Sequence, residues 1–235
     1  MDTSKPRVAA VVPAYNEEKR ISAALAAIEE AELVDEIIVV SDGSVDKTYE
    51  IAASNPLVKA IRLEYNRGKA GAMLEGAGAT EAEIVLFLDA DLIGLKGDHV
   101  DDLIRPVLFG DADMAIGVFR AGRRITDLAQ ILVPYISGQR AIYRNLFLSI
   151  PHLADLRSGV EMAITRYFKA TGLMVEHVVL SGVTHPMKEE KLGFFRGFAA
   201  RLRMYREIAH VLMNGRAIVV SKRVDRPANT SEDRS

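Results

Sequence analysis

Asp89 and Asp91 follow directly on the apolar run Ile84-Val-Leu-Phe-Leu88. Two carboxylates at the end of a buried strand repel each other unless a cation or a hydrogen-bonding ligand accepts them, and a divalent metal does so. Hard oxygen ligands suit Mg²⁺ or Mn²⁺, which keep positions open for water and phosphate oxygens. The plainer alternative is a helix N-cap beside a solvated acid. Asp42, in Val39-Val-Ser-Asp-Gly-Ser44, reads either as a turn carboxylate, with Gly43 free to take a positive φ, or as the acceptor for a ligand's base or ribose. In Asn66-Arg-Gly-Lys-Ala-Gly71, Gly68 and Lys69 stand at a helix start, where free amides, the helix dipole and an ammonium favour a phosphate group. Gly122-Arg-Arg-Ile-Thr-Asp127 gathers fork donors, a hydroxyl and free amides suited to an anion, with Arg124 and Thr126 at its centre and Arg123 or Arg140 in support. The alternative there is a solvated loop whose arginines pair with surface acids.

The elements that must position these groups alternate. Apolar runs at 8–12, 37–40, 58–63, 84–88 and 113–116 read as strands, and residues 17–30, 45–53 and 69–80 between them read as helices. Such alternation predicts a parallel sheet with helices on both faces and a ligand beyond the carboxyl ends of the strands. The segments after the strands, Pro13-Ala-Tyr-Asn-Glu-Glu18, Ser41-Asp-Gly-Ser44, Asn66-Arg-Gly-Lys69 and Asp89-Ala-Asp91, would then converge on one rim. Further on, the alternation gives way to a loop over 117–125 and a long helical stretch over 126–149. A helix over 161–170, a strand over 175–180 and an amphipathic helix over 194–213 follow. One domain over 1–222 is expected, with a nucleotide-binding half (7–116), an acceptor half (117–222) and a disordered polar tail (223–235).

The 235 residues are 49% hydrophobic and 26% charged with a net charge of −2; this excludes a disordered or fibrous chain and argues against a nucleic-acid binder. The absence of cysteine removes disulfides, thiolate metal sites and cysteine nucleophiles from consideration. No secretory leader or membrane-spanning run is read, so a cytoplasmic protein is expected. The 194–213 helix carries Arg196, Arg201, Arg203 and Arg206 beside a Phe, Leu and Met face. It reads as a core or homodimer-contact helix with a solvated basic side, or as a helix lying on the inner face of an anionic membrane.

Taken in order, Val-Pro-Ala-Tyr-Asn-Glu-Glu, Val-Ser-Asp-Gly-Ser-x-Asp-x-Thr, Asn-Arg-Gly-Lys-Ala-Gly and Leu-Asp-Ala-Asp resemble the nucleotide-binding half of the family 2 glycosyltransferases. The resemblance implies the α/β GT-A fold, a Rossmann-like, mostly parallel sheet flanked by helices, with a C-terminal acceptor-side helical region. It also implies a metal-dependent transfer from a nucleotide diphosphate sugar, a UDP-sugar first and a GDP-sugar second, with Mg²⁺ or Mn²⁺. By the same resemblance Pro13, Ala14 and Glu17 line the base pocket, Asp42 bonds the base, Lys69 approaches the base or phosphates, Asp89 meets the ribose and Asp91 ligates the metal; Tyr15, Gly43, Gly68 and Ala90 complete the donor set. Gly122-Arg-Arg-Ile-Thr-Asp-Leu128 and Ser158-Gly-Val-Glu-Met162 resemble the acceptor segments of glucosyl-3-phosphoglycerate synthases, and His185 resembles the histidine that completes their metal coordination. Arg123, Arg124, Thr126, Gly138, Gln139 and Arg140 are the candidate acceptor contacts, and the acceptor is a small or lipid-linked molecule, anionic like a phosphoglycerate or a polyprenyl phosphate. Arg157-Ser158 departs from the aromatic-glycine pair of those enzymes, which opens the acceptor's identity.

The catalytic candidates are Asp91, Lys69 and Glu161, the last as general base in an inverting reaction or as an orienting group in a retaining one; Lys188 is a further source of positive potential. Glu161 also reads as an exposed first-turn helix acid. A sugar-phosphate nucleotidyltransferase would carry a Gly/Arg-rich loop after its first strand, where this chain has the acidic Pro-Ala-Tyr-Asn-Glu-Glu. A non-catalytic nucleotide-sugar-binding protein would show an eroded Asp-x-Asp or Gly-Val-Glu, and both are present.

Overall fold

The computed structural model describes residues 5–119, 137–156 and 159–185. Seven strands form one sheet in the order β3-β2-β1-β4-β6-β5-β7. They are β1 (Val8–Ala14), β2 (Glu36–Asp42), β3 (Val58–Leu63), β4 (Ile84–Phe87), β5 (Met114–Phe119), β6 (Arg140–Tyr143) and β7 (Val175–Leu180). β1 pairs in parallel with β2 and β4, β2 with β3, and β5 with β7; β6 runs antiparallel to both β4 and β5.

Alternate strand residues face opposite sides, so a sheet covered on both faces needs apolar residues at every position. Val8, Ala10 and Val12 pack on one face with Ile21, Leu25 and Ile28 of α1 (Ile21–Glu29) and Val100, Leu103 and Val107 of α4 (Gly97–Leu108). Ala9 and Val11 pack on the other with Met73 and Ala77 of α3 (Gly68–Gly78), Phe147 of α5 (Arg144–Leu148), and Ile164 and Phe168 of α6 (Val160–Thr171). Each of these buried Leu, Ile and Phe side chains contributes about 1.5–3 kcal/mol of transfer free energy. The sheet is thereby a rigid platform, and what differs between strands is what stands at their ends.

Several boundaries differ from the sequence reading. Of the helical stretch expected over 126–149, residues 140–143 are β6 and only 144–148 are helical, while 126–136 lie outside the described residues. The run Ala141-Ile142 is short and apolar, and periodicity alone cannot tell such a run from buried helix. Pairing with Leu86 and Ala115 on either side decides for strand. β5 extends to Phe119, into the expected loop, because β7 pairs with it to its end. α4 was not expected at all: Pro106 sits inside it, yet Val100, Leu103, Ile104 and Val107 keep helical spacing and are fully buried. The helix expected to start at residue 17 starts at Ile21 after a turn closed by the Arg20 and Ile21 amides on the Glu17 carbonyl. α2 (Thr48–Ala53) likewise begins three residues later than expected. The 194–213 helix and the 223–235 tail lie outside the described residues. No helix among the described residues is long and apolar enough to cross a membrane.

The loops after β1 and β2 are laced together. Asn16 N–H donates to Ser44 Oγ (3.1 Å), Glu17 N–H to Thr48 Oγ1 (2.8 Å) and Glu18 N–H to Asp46 Oδ2 (3.1 Å). In return Val45 N–H donates to Asn16 Oδ1 (2.9 Å) and Lys47 N–H to Glu18 Oε2 (3.2 Å). Asp46 is the hub, since it also accepts from the Thr48 amide and hydroxyl. Burial pushes its pKa up, but the Thr48 hydroxyl and the Glu18 and Thr48 amides outweigh that, and the net shift is downward.

A depressed carboxylate pKa contributes stability above the unfolded value of about 3.9 and loses it as pH falls through the folded value. Asp46→Ala is expected to lower the unfolding free energy at pH 7 by about 1–2 kcal/mol. The gap from the unmutated chain should shrink toward pH 3. Urea unfolding of both at the two pH values checks this, and an equal gap at both would assign the loss to packing instead of charge.

Candidate functional site

β1, β2, β3 and β4 run in parallel, so their carboxyl ends share one rim. Pro13 to Glu17, Asp42-Gly43, the start of α3 and Asp89-Ala-Asp91 all stand there. β6 runs the other way and delivers its leading residues, Ser137-Gly138-Gln139, to that same rim. β5 and β7 run with β4, so the chain beyond β7 brings His185 back to it.

The Asp42 carboxylate accepts the Arg67 amide at 2.6 Å, and its carbonyl accepts the Asn66 side chain at 3.1 Å. Arg67 precedes the first turn of α3 and has no side-chain cap of its own; Asp42 supplies the acceptor from the neighbouring strand. Gly43 has the expected positive φ, +67°, and a Cβ there would lie 2.5 Å from the Asn66 nitrogen. This junction fixes Lys69 in the first turn of α3.

Lys69 Nζ lies 2.5 Å from Asp89 Oδ1 and 2.7 Å from Glu161 Oε1. Burial alone would lower its pKa; attraction and hydrogen bonding from Asp89 and Glu161 reverse this and hold it above the usual lysine value. The ammonium is therefore charged at any physiological pH. Gly138 sits against this pair so closely that a Cβ would meet Asp89 Oδ2 at 2.4 Å and Lys69 Nζ at 2.5 Å.

Asp89, Asp91 and His185 each offer one ligand atom, all within 4.8 Å of one another. His185 Nδ1 lies 3.2 Å from Asp91 Oδ1, Nε2 lies 3.8 Å from Asp89 Oδ2, and the ring meets Phe119 edge-on at 5.0 Å. Two carboxylates and an imidazole this close fit one divalent ion of the Mg²⁺ or Mn²⁺ class. Asp89 belongs to that group, where the resemblance assigned it to the ribose alone.

What holds His185 there was missed in the sequence. Ile93 and Thr184 form a two-way antiparallel bridge, at 2.9 and 3.0 Å. Gly94, at φ +78°, lets the Gly182 carbonyl approach to 2.4 Å from where a Cβ would stand. The available signal was a glycine three residues beyond each metal-ligand candidate or before it, in Asp91-Leu-Ile-Gly94 and Gly182-Val-Thr-His185.

The remaining candidates divide. Ala14 and Ala90 are buried and Tyr15 is half exposed on the rim. Arg140 was expected to support an acceptor anion; its side chain has no exposed surface and bonds inward, to the Ser137 and Glu161 carbonyls. Gln139 is equally buried and donates to Asp89. Arg123, Arg124, Thr126, Arg157, Ser158 and Lys188 lie outside the described residues.

Comparison with known proteins gives the chain relatives. The model of glycosyl transferase family 2 matches residues 9–166, more than half of the chain. The chain is 30% identical to the glucosyl-3-phosphoglycerate synthase of Mycobacterium tuberculosis over 195 residues, 67% of this chain and 59% of that protein. It is 37% identical to the dolichyl-phosphate beta-glucosyltransferase of Homo sapiens over 105 residues, 38% of this chain and 32% of that one. It thus spans less than two thirds of the length of these curated relatives. A crystal structure of the Mycobacterium tuberculosis synthase with Mn²⁺, uridine diphosphate and glucosyl-3-phosphoglycerate matches with a TM-score of 0.64 and 28% identity, over 84% of this chain and 79% of that one. The expected GT-A α/β fold is the fold observed.

The Gly94–Gly182 approach yields a test. Gly94→Ala adds a Cβ both at positive φ and against a backbone carbonyl, which is expected to cost about 2–4 kcal/mol and to release His185 from Asp91. Urea unfolding measures the loss. Histidine NMR follows the ring, and an unmoved His185 signal would separate the bridge from the site.

Proposed function

The chain belongs to glycosyl transferase family 2, and on that footing we propose that it transfers a sugar from a uridine diphosphate sugar to the hydroxyl of an anionic acceptor, with Mg²⁺ or Mn²⁺ bound at Asp89, Asp91 and His185. The gathering of these three with Lys69 and Glu161 on one rim carries the proposal. The Mycobacterium tuberculosis synthase, whose structures hold Mn²⁺ or Mg²⁺ with uridine diphosphate, supports the choice of donor and metal. Residues 7–116 would bind the donor and 117–222 the acceptor.

In this reading Pro13, Ala14, Tyr15 and Glu17 line the base pocket, Asp42 and Gly43 accept the base, and Gly68 and Ala90 let backbone approach the diphosphate. The bound metal supplies positive charge against the departing diphosphate. Lys69, permanently charged between its two carboxylates, adds to that field without reorganising. The acceptor oxygen bonds the anomeric carbon as the bond to the diphosphate breaks. Glu161 takes the acceptor's proton in an inverting course and orients its hydroxyl in a retaining one. Arg123, Arg124 and Thr126 would hold the acceptor's phosphate or carboxylate.

A product screen with UDP- and GDP-sugars, with and without Mn²⁺, against phosphoglycerate, sugar and polyprenyl phosphate acceptors tests the proposal. UDP-sugars should react and chelator should abolish transfer. Asp91→Ala should lower kcat/KM by at least about 100-fold; activity that survives both the substitution and chelation would remove the metal from the site. Arg124→Lys should raise the acceptor KM about tenfold or more with the donor Kd unchanged, because a point charge cannot reproduce a bidentate contact. Unaltered acceptor kinetics, or a best acceptor that is an uncharged sugar, would argue against an anionic acceptor.

A further inference from the structure

Residues 137–140 enter β6 from the rim, and their polar groups turn inward. Gln139 and Arg140 have no exposed surface and Ser137 almost none. Gln139 Nε2 donates to Asp89 Oδ2 at 2.8 Å. Its Oε1 lies 3.0 Å from the Ser137 hydroxyl, which it shares with the Gly117 carbonyl. The Asp89 carboxylate gives the amide its orientation, since it only accepts and the reverse setting would point Oε1 at it. With Lys69 on Oδ1 and Gln139 on Oδ2, Asp89 is gripped on both oxygens and its plane is fixed.

Arg140 does the same for a different element. Nη2 donates to the Ser137 carbonyl at 2.5 Å, and Nη1 reaches the Glu161 carbonyl at 3.1 Å and Thr165 Oγ1 at 3.5 Å. Thr165 in turn donates to the Glu161 carbonyl at 2.8 Å. One guanidinium therefore ties the start of β6 to the first turns of α6, the turns that carry Glu161. Burial lowers its pKa to about 10, against the attraction of Glu161 and Asp89, so it stays charged at neutral pH. The two Nη groups meet the Ser137 and Glu161 carbonyls and Thr165, Nε is buried without a partner, and the side chain has no exposed surface, so none of its donors is at the surface to meet a substrate phosphate.

We propose that Gln139 and Arg140 are positioning residues for the transfer reaction, Gln139 fixing Asp89 and Arg140 fixing Glu161, and that neither touches the acceptor. This rests on the glycosyltransferase reading above. The two roles separate kinetically. A lost acceptor contact raises the acceptor KM, whereas a misplaced metal ligand or acceptor-orienting carboxylate lowers kcat. Partners that orient a metal ligand are worth about 10–100-fold in metal affinity or activity.

The experiment uses the full chain, with UDP-glucose as donor, 3-phosphoglycerate and water as the two acceptors, UDP release as the rate, and electron paramagnetic resonance of Mn²⁺ in the presence of UDP. Gln139→Leu should weaken Mn²⁺ binding about 10–100-fold. Arg140→Lys keeps the charge but loses the fork; Mn²⁺ affinity should hold within about twofold while kcat falls about tenfold or more and the acceptor KM holds within about twofold. If thermal melting shows Arg140→Lys unfolded, Thr165→Val should lower kcat in the same direction with the same unchanged KM. Raised acceptor KM at unchanged kcat in either variant, or unaltered Mn²⁺ affinity in Gln139→Leu, would overturn the positioning roles. Failure of the unmutated chain to bind Mn²⁺ with UDP would instead overturn the donor reading beneath them.

Discussion

Three carboxylates, those of Asp89, Asp91 and Glu161, crowd one rim of the sheet, and the rest of the site is arranged around their repulsion. Among the described residues, two cations answer them from within: Lys69 between Asp89 and Glu161, and Arg140 beneath both. Asp91 stands at the edge of this group, 3.2 Å from the His185 imidazole. A divalent ion held by Asp89, Asp91 and His185, as proposed, would reverse the local sign and make the rim receptive to a diphosphate. The two Lys69 pairs are not surface ion pairs of negligible worth, since both carboxylates are largely buried. Lys69 is partly buried, and removing it would leave the Asp89 and Glu161 carboxylates without the cation they share.

The fold solves the placement problem by mixing strand directions. A purely parallel sheet would present at this rim only the residues after each strand, which here include Asp42, Lys69, Asp89 and Asp91. The single reversal at β6 adds residues that precede a strand, and these are the ones that grip Asp89 and Glu161 from below. The lacing of the loops after β1 and β2 acts at the other end of the rim in the same spirit. Ser44, Asp46 and Thr48 occupy one loop's polar groups with the other loop's amides, so that the base pocket proposed there is built on a pre-formed frame.

This explains what the sequence disclosed and what it withheld. The convergence of the segments after β1, β2, β3 and β4 on one rim was legible because each follows an apolar run, and the rule for parallel sheets says to look there. Glu161 and His185 were legible only through resemblance, since nothing local distinguishes a first-turn acid or a lone histidine. Arg140 misled for a physical reason. An arginine in a Gly-Gln-Arg segment reads as a surface fork, and only the antiparallel pairing of β6 between β4 and β5 reveals that its side chain is enclosed. α4 was hidden by Pro106, which reads as a helix breaker, and the burial of Val100, Leu103, Ile104 and Val107 outweighs that preference.

Lys69 joins the parts that the sequence reading separated. Asp89 stands in the half expected to bind donor and Glu161 in the half expected to bind acceptor, and a single ammonium pairs with both. Ammonium hydrogen bonds are exchangeable among oxygens because the group is a compact point charge with three equivalent donors. In the proposed reaction a diphosphate oxygen near Lys69 would share those three protons with Asp89 and Glu161. Asp89 has Gln139 on its other oxygen, and the backbone that carries Glu161 is held by Arg140, so neither residue depends on the lysine alone for its place.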